Sequence, residues 1–518
     1  MPRVIGYQLS IVAANCPDAT ALVFGTRRQS YAALNRKACR LANAMRQLGI
    51  GRGDRVVSLC NNTAHFFEIF FAAAKLGAIF VPLNFRLAPR EIIDILDGCR
   101  PRLMFLGSSL ARVLPELHAS AVCPERVVEI GDQPDLDSPE YEAWLQPFAA
   151  DEPEIAVAAA EPQLLVHSSG TTGRPKGAIW THLTTLASSQ VKIIDFRLTR
   201  HDVTAVFGPL FHVGPLMDLA VPVLLCGGTV VVAATTGFDP ARVMRTIADE
   251  RVTVVTIYPT MWRRVLGLAD IEDYDSSSLR LLFTGGEPIP LPVLRGIYRR
   301  FPGAGFVNTY GSTEGGPITT FLAPEDAVRK IGSVGKPAFG VEVRIANDEG
   351  GALGPGEAGE LLVRSAFVCA GYWEKPDETA AVMRGGWWHT NDLAWRDDEG
   401  FIWIGGRKTE MIISGAENIY PVQIEQVIAG LDPVAEVAVV GVPDDEWGEA
   451  VAAFVVLRPG AALDADAITA HCRRNLAGYK RPRHIRFIDE LPRTTVNKVA
   501  KTVLRERFII TGRPPPPC

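Results

Sequence analysis

With 518 residues, 47% hydrophobic and 21% charged, the chain can bury a large core. It exceeds the length at which one core stops growing, so at least two domains are expected and wholesale disorder is excluded. A net charge of -5 without a long basic block argues against nucleic acid as the main partner, and nine cysteines with no C-x-x-C pair fit a reducing compartment better than a disulfide framework or a zinc site.

In chain order, the opening VIGYQLSIVAA is interrupted by Tyr7, Gln8 and Ser10, which suits an amphipathic first helix and not a signal segment. From Ser30, placed to cap a helix, apolar residues recur at Tyr31, Leu34, Ala38, Leu41, Met45 and Leu48, steps that mark one helical face. RVVSLC follows as a buried strand. The most membrane-like window, Phe66 to Phe85, contains Glu68, Lys75 and Pro82, so it predicts a buried helix running into a strand and no integral membrane segment. The chain therefore reads as soluble and cytoplasmic.

PARVMRTIADERVTVVTIYP and VLRGIYRRFPGAGFVNTYG repeat the passage from helix to strand, which predicts an α/β architecture with largely parallel sheets and ligands beyond the strands' carboxyl ends. Past Ser333, short apolar runs divided by Gly, Pro and acidic residues predict hairpins. After Gly405 and Gly406 come a helix (PVQIEQVIAGL), two strands (AEVAVVGV, EAVAAFVVL) and another helix (DADAITAHCRRNL). These predict a smaller second domain, with the division at Arg407: residues 1–407 and 408–518. The tail GRPPPPC is expected to be disordered.

SSGTTGRPKG, Ser168 to Gly177, follows the apolar run QLLVH and precedes AIWTH. Backbone N–H groups in a Gly-rich turn form a concave donor surface, hydroxyls add donors without bulk, and Lys176 adds a movable charge. The stretch reads as a polyphosphate cradle, with a plain solvent-exposed turn as the alternative. It is not a Walker A sequence, because Arg174 and Pro175 separate Gly173 from Lys176 and no hydroxyl follows the lysine.

LLVHSSGTTGRPKGAIWTH resembles the phosphate loop of the adenylate-forming superfamily. The resemblance continues in order through TGGEPIP at Thr284, YGSTEGG at Tyr310, WWHTNDLAW at Trp387 and LPRTTVNK at Leu491. It implies a large N-terminal domain of stacked α/β layers plus a small β-barrel, and a smaller mobile α+β C-terminal domain. It also implies ATP, Mg²⁺ and CoA as ligands.

By resemblance, Ser168, Ser169, Gly170, Thr171, Thr172, Gly173 and Lys176 hold phosphate, Thr313 joins them, and Glu314 holds Mg²⁺. Tyr310, with Gly311 and Ser312 beside it, packs on adenine, and Gly285, Gly286, Glu287 and Pro288 line adenine and the acyl pocket. Many relatives have a small residue in place of Glu287, which leaves a surface charge as its other reading. Asp392 corresponds to the acid that accepts from the ribose hydroxyls, and Arg407 to the arginine that reaches ribose and phosphate. Asn391, Thr409 and Asn497 depart from the family's usual residues.

Lys498 matches the lysine that bridges the substrate carboxylate and the α-phosphate, with Lys501 as the rival. Gly415 lines the pantetheine tunnel. Lys480, with Arg481 and Arg483, contacts CoA phosphates or forms a solvated basic face. FGPLFHVGPLMD, Phe207 to Asp218, resembles the wall of the acyl pocket, with His212 near the substrate carboxylate. Its apolar residues favour a fatty or aryl acid, and no acidic residue in it is an obvious partner for an amino group.

The resemblance implies an AMP-forming acyl-CoA synthetase, acting on a small-molecule acid with a homodimer as a permitted assembly. The rivals are an adenylating enzyme that serves a carrier protein or another nucleophile, and a nucleotide-binding protein without catalysis.

Overall fold

Four sheets organise the described residues. The computed structural model describes residues 4–134, 138–168, 175–235, 237–287, 289–414, 417–494 and 499–511. The expected division of 512–518 as a disordered tail lies outside them.

The nine-stranded sheet runs, in spatial order, Lys336–Pro337, Gly316–Leu322, Gly305–Ser312, Leu281–Gly285, Val254–Thr256, Val203–Val206, Thr229–Val232, Thr20–Phe24 and Arg27–Ser30. Its inner strands are parallel, and antiparallel strands close both edges. A six-stranded sheet is parallel except for its last pair, Pro162–Ser168 against Lys176–Thr181. The five-stranded sheet containing Glu342–Ala346, Gly359–Arg364 and Trp387–Arg396 is antiparallel and stands where the resemblance implies the small barrel. A further five-stranded sheet, spanning Ile412–Ser414 to His484–Phe487, builds the smaller C-terminal domain.

The helices follow from their apolar spacing. Ser30 caps Tyr31–Gln47 by accepting from the Ala33 N–H, and the expected stripe of Tyr31, Leu34, Ala38, Leu41 and Met45 is buried. Pro240–Asp249 and Leu291–Arg300 each lead into a parallel strand, as predicted. The window from Phe66 resolves into a helix, Ala64–Leu76, and the strand Ile79–Pro82. No helix among the described residues is long and apolar enough to cross a membrane, and no described cysteine is paired with another.

Every residue from His65 to Leu76 is buried. A helix enclosed on all sides must neutralise any charge it carries. Lys75 does so against Glu152, at 2.7 Å. Glu68 sits at the centre of a larger network: His65 Nδ1 lies at 2.8 Å, the Tyr141 hydroxyl donates at 3.0 Å, Gln29 Nε2 donates at 3.1 Å, and Lys37 Nζ lies at 3.4 Å. Burial alone would raise this carboxyl, but His65, Lys37 and Gln29 outweigh it and hold Glu68 at about 2.

Candidate active site

The nine-stranded sheet delivers Tyr310, Gly311 and Ser312 at the end of strand Gly305–Ser312, and the chain turns back through Thr313 to Gly315 into Gly316–Leu322. The turn is internally tied: the Gly315 N–H donates to Ser312 Oγ at 2.8 Å, and Trp180 Nε1 donates to the Thr313 carbonyl at 3.0 Å. A Cβ on Gly311 would lie 2.2 Å from the Gly316 carbonyl oxygen. Gly311→Ala is therefore expected to cost about 1–3 kcal/mol, because backbone and not a yielding side chain fills the space. Chemical denaturation checks this, and unchanged stability would refute the tight crossing.

Asp392 and Arg407 come from the antiparallel sheet, where they are direct cross-strand partners. Arg407 Nε lies 2.8 Å from Asp392 Oδ1, and Nη1 donates to the Thr390 carbonyl at 3.0 Å. Tyr310 donates its hydroxyl to Asp392 Oδ2, which joins this sheet to the nine-stranded one. Asn391 adopts φ 60°, so the substitution for the family's glycine keeps the left-handed turn that presents Asp392. Burial opposes the charge on Arg407, but Asp392, Tyr310 and Glu314 outweigh it and raise the guanidinium.

Tyr372, absent from the expected site residues, connects the remaining parts. Its hydroxyl donates to Glu314 Oε1 at 3.0 Å, and its ring lies under Lys176 Nζ at 5.3 Å. Burial and the Glu314 charge raise its phenol. The segment 370–373 is held against strand Lys176–Thr181 by backbone hydrogen bonds, including Trp373 N–H to the Gly177 carbonyl at 2.8 Å. The aromatic pair after Gly371 was the only local signal for it.

Strands Pro162–Ser168 and Lys176–Thr181 pair with Ser168 opposite Lys176, which brings the two ends of the glycine-rich stretch together. Ser169, Gly170, Thr171, Thr172 and Gly173 lie outside the described residues, as do Pro288, Gly415 and Lys498. Gly285 packs against Thr309, whose Oγ1 would lie 2.3 Å from an added Cβ, and Gly286 has φ +81°. Glu287 is exposed, and its carboxylate accepts from the Thr260 N–H at 3.2 Å.

His212 is half-buried at the start of the short helix Val213–Pro215, its ring 4.3 Å from that of Phe211. Lys480 is in the C-terminal domain, where Nζ donates to Gln423 Oε1 at 2.8 Å. Lys501 pairs with Glu425 at 2.9 Å and Glu410 at 3.2 Å. Lys408, on the other side of Thr409, pairs with Asp348 at 2.6 Å.

The family model of the AMP-binding enzyme matches residues 9–373, and that of the AMP-binding enzyme C-terminal domain matches residues 423–498. The chain belongs to the AMP-binding enzyme family. Within this adenylate-forming family it is similar to a feruloyl-CoA synthase of Amycolatopsis sp, 38% identical over 494 residues that cover 95% of this chain and 96% of the relative. A long-chain-fatty-acid–CoA ligase of Mycobacterium tuberculosis is 35% identical over 511 residues, 98% of this chain and 99% of that one. Among solved structures, an anthranilate CoA ligase in complex with anthranoyl-AMP has TM-score 0.89 at 28% identity, with 97% of each chain covered. For an AMP-binding enzyme, a cluster of Tyr, Asp and Arg beside a carboxylate–phenol pair is a set of donors and acceptors suited to a nucleotide.

Proposed function

We propose that the protein uses ATP to convert a carboxylic acid into an acyl-adenylate with release of pyrophosphate, then transfers the acyl group to the thiol of CoA, giving a thioester and AMP. The observation that carries this reading is the junction at Asp392, where Tyr310 and Arg407 from two sheets meet one carboxylate and Arg407 also feels the charge of Glu314. Both reactants are anions, so the barrier is largely one of repulsion and placement, and fixed cations and donors lower it.

In this reading Asp392 accepts from the ribose hydroxyls, Tyr310 borders adenine, and Arg407, Thr313 and Lys176 hold phosphate together with 168–173. Lys498 draws the substrate carboxylate towards the α-phosphorus. Gly415, Lys480, Arg481 and Arg483 serve CoA from the C-terminal domain, which begins at residue 408. Glu314 suits Mg²⁺ as a hard carboxylate oxygen donor beside the residues proposed to hold phosphate. Bound there, Mg²⁺ supplies neutralisation of phosphate charge.

The feruloyl- and fatty-acid-named relatives support an aryl or fatty acid. A cytoplasmic location and a homodimer belong to the same reading and are open to fractionation and sizing.

Asp392→Asn, which keeps shape but removes charge, is expected to raise KM for ATP about 10-fold, the scale of one charge-assisted hydrogen bond. Initial rates at varied ATP check it, and an unchanged KM would remove Asp392 from the nucleotide site. For the activity itself, purified protein is incubated with ATP, Mg²⁺ and a panel of acids, with and without CoA. AMP formation that needs both acid and CoA is expected. Release of ADP and orthophosphate would overturn the reading, and turnover that needs a carrier-protein thiol would replace CoA as acceptor.

A further inference from the structure

The six-stranded and nine-stranded sheets are tied together at the carboxyl ends of parallel strands, the edge at which α/β sheets take ligands. Asn61 and Asn62 follow strand Arg55–Leu59 of the first sheet. Residues 208–210 follow Val203–Val206 of the second, and Thr235 follows Thr229–Val232. Asn62 holds one turn of the facing sheet with both ends of its carboxamide: Nδ2 donates to the Gly208 carbonyl at 2.8 Å, and Oδ1 accepts from the Leu210 N–H at 2.8 Å. A primary amide can donate and accept from one planar group, which is what a carbonyl and an N–H two residues apart require.

The amide is itself braced. Asn62 is 2% exposed, and its own N–H donates to Thr235 Oγ1 at 3.2 Å. Thr235 Oγ1 in turn donates to Asn61 Oδ1 at 3.0 Å, and Asn61 Nδ2 donates to Asp132 Oδ2 at 3.0 Å and Ser109 Oγ at 2.8 Å. In such an interior a shifted partner leaves polar groups unpaired, so the network keeps Asn62 in one place.

The turn held by Asn62 leads directly into His212. The His212 N–H donates to the Pro209 carbonyl at 3.1 Å, and Phe211 meets Phe85, beyond strand Ile79–Pro82 of the six-stranded sheet, edge to face at 5.2 Å. Gly208 is packed from the other side, where an added Cβ would lie 2.7 Å from Pro215 Cγ. The backbone at His212 is thus placed from the opposite sheet as well as by its own strand.

We infer that Asn62 is a positioning residue for acid activation, which holds His212 at the substrate carboxylate through the turn 208–210. The inference rests on the acid-activating function proposed above and on the place that the resemblance implies for His212. A displacement of about 1 Å in a group that orients a reactant can cost about 100-fold in rate. The loss should fall on the acid and spare the nucleotide, because the junction of Tyr310, Asp392 and Arg407 is built from other elements.

The test is pyrophosphate exchange with ATP, Mg²⁺ and benzoate, 3-phenylpropenoate, octanoate, dodecanoate or hexadecanoate, followed with the acid that the unaltered enzyme exchanges fastest. Asn62→Leu, close in size but without hydrogen bonds, is expected to lower kcat/KM for that acid about 10- to 100-fold while KM for ATP stays within about threefold. Asn62→Asp, the same shape without the donor to Gly208, should show the same split and serves where Asn62→Leu does not fold. Added to His212→Ala, either change should cost no more than about a further threefold, since two residues that act as one unit are not additive. Unchanged kcat/KM for the acid, an equal rise in KM for ATP, or losses that multiply with that of His212→Ala would overturn the inference alone. So would a His212→Ala enzyme of normal kcat/KM, a result that needs no Asn62 variant. Absence of exchange with every acid would overturn the activity, and this inference with it.

Discussion

Lys498→Ala is expected to slow acyl-adenylate formation by about 100- to 1,000-fold, roughly 3–4 kcal/mol of barrier, the scale of one preorganised cationic donor. Its effect should be confined to the first half-reaction. Thioester formation from supplied acyl-adenylate no longer needs the substrate carboxylate drawn to the α-phosphorus, the task given to Lys498, and should suffer much less. The control is Lys501, which stands three positions on and is engaged by Glu425 and Glu410. Burial works against its charge, but the two carboxylates outweigh that and raise the ammonium. Lys501→Ala should accordingly lower stability while leaving pyrophosphate exchange largely intact. If Lys498→Ala exchanges pyrophosphate at the normal rate, the assignment from the LPRTTVNK motif is wrong.

Glu68→Ala is expected to destabilise the protein by about 3–5 kcal/mol, measured as a loss in denaturant-unfolding free energy. Removing the carboxylate strips an acceptor from His65, Tyr141 and Gln29 in one step and leaves Lys37 with one carboxylate fewer. The pH dependence has a definite sign. The folded carboxyl is held at about 2, below its ordinary value of 4.5. Its contribution is therefore fully present above pH 4.5 and is lost as pH falls towards 2, by roughly 3 kcal/mol in all. The variant should show a flatter acid limb than the parent, and parallel acid limbs would count against the network.

Local periodicity carried the helices, because each buries one stripe whose spacing is visible within a single stretch. Tyr31 to Met45 and Pro240–Asp249 are examples. Strand neighbours were less legible. Thr20–Phe24 pairs with Thr229–Val232, and nothing near Thr20 encodes a partner that far along the chain.

The candidate site divides in the same way. Motifs placed Tyr310, Glu314, Asp392 and Arg407, but Tyr372 was missed because its partner Glu314 is 58 positions away and the contact depends on how segment 370–373 pairs with Lys176–Thr181.

The ion pairs on either side of Thr409 have a mechanical consequence. Lys408 pairs with Asp348, earlier in the chain, and Glu410 with Lys501, near its end, so the ion pairs on the two sides of Thr409 lead to segments on opposite sides of the proposed division. Any swivel of the smaller body would be funnelled into the φ and ψ of one β-branched residue, whose restricted torsions favour a few discrete orientations over a continuous sweep.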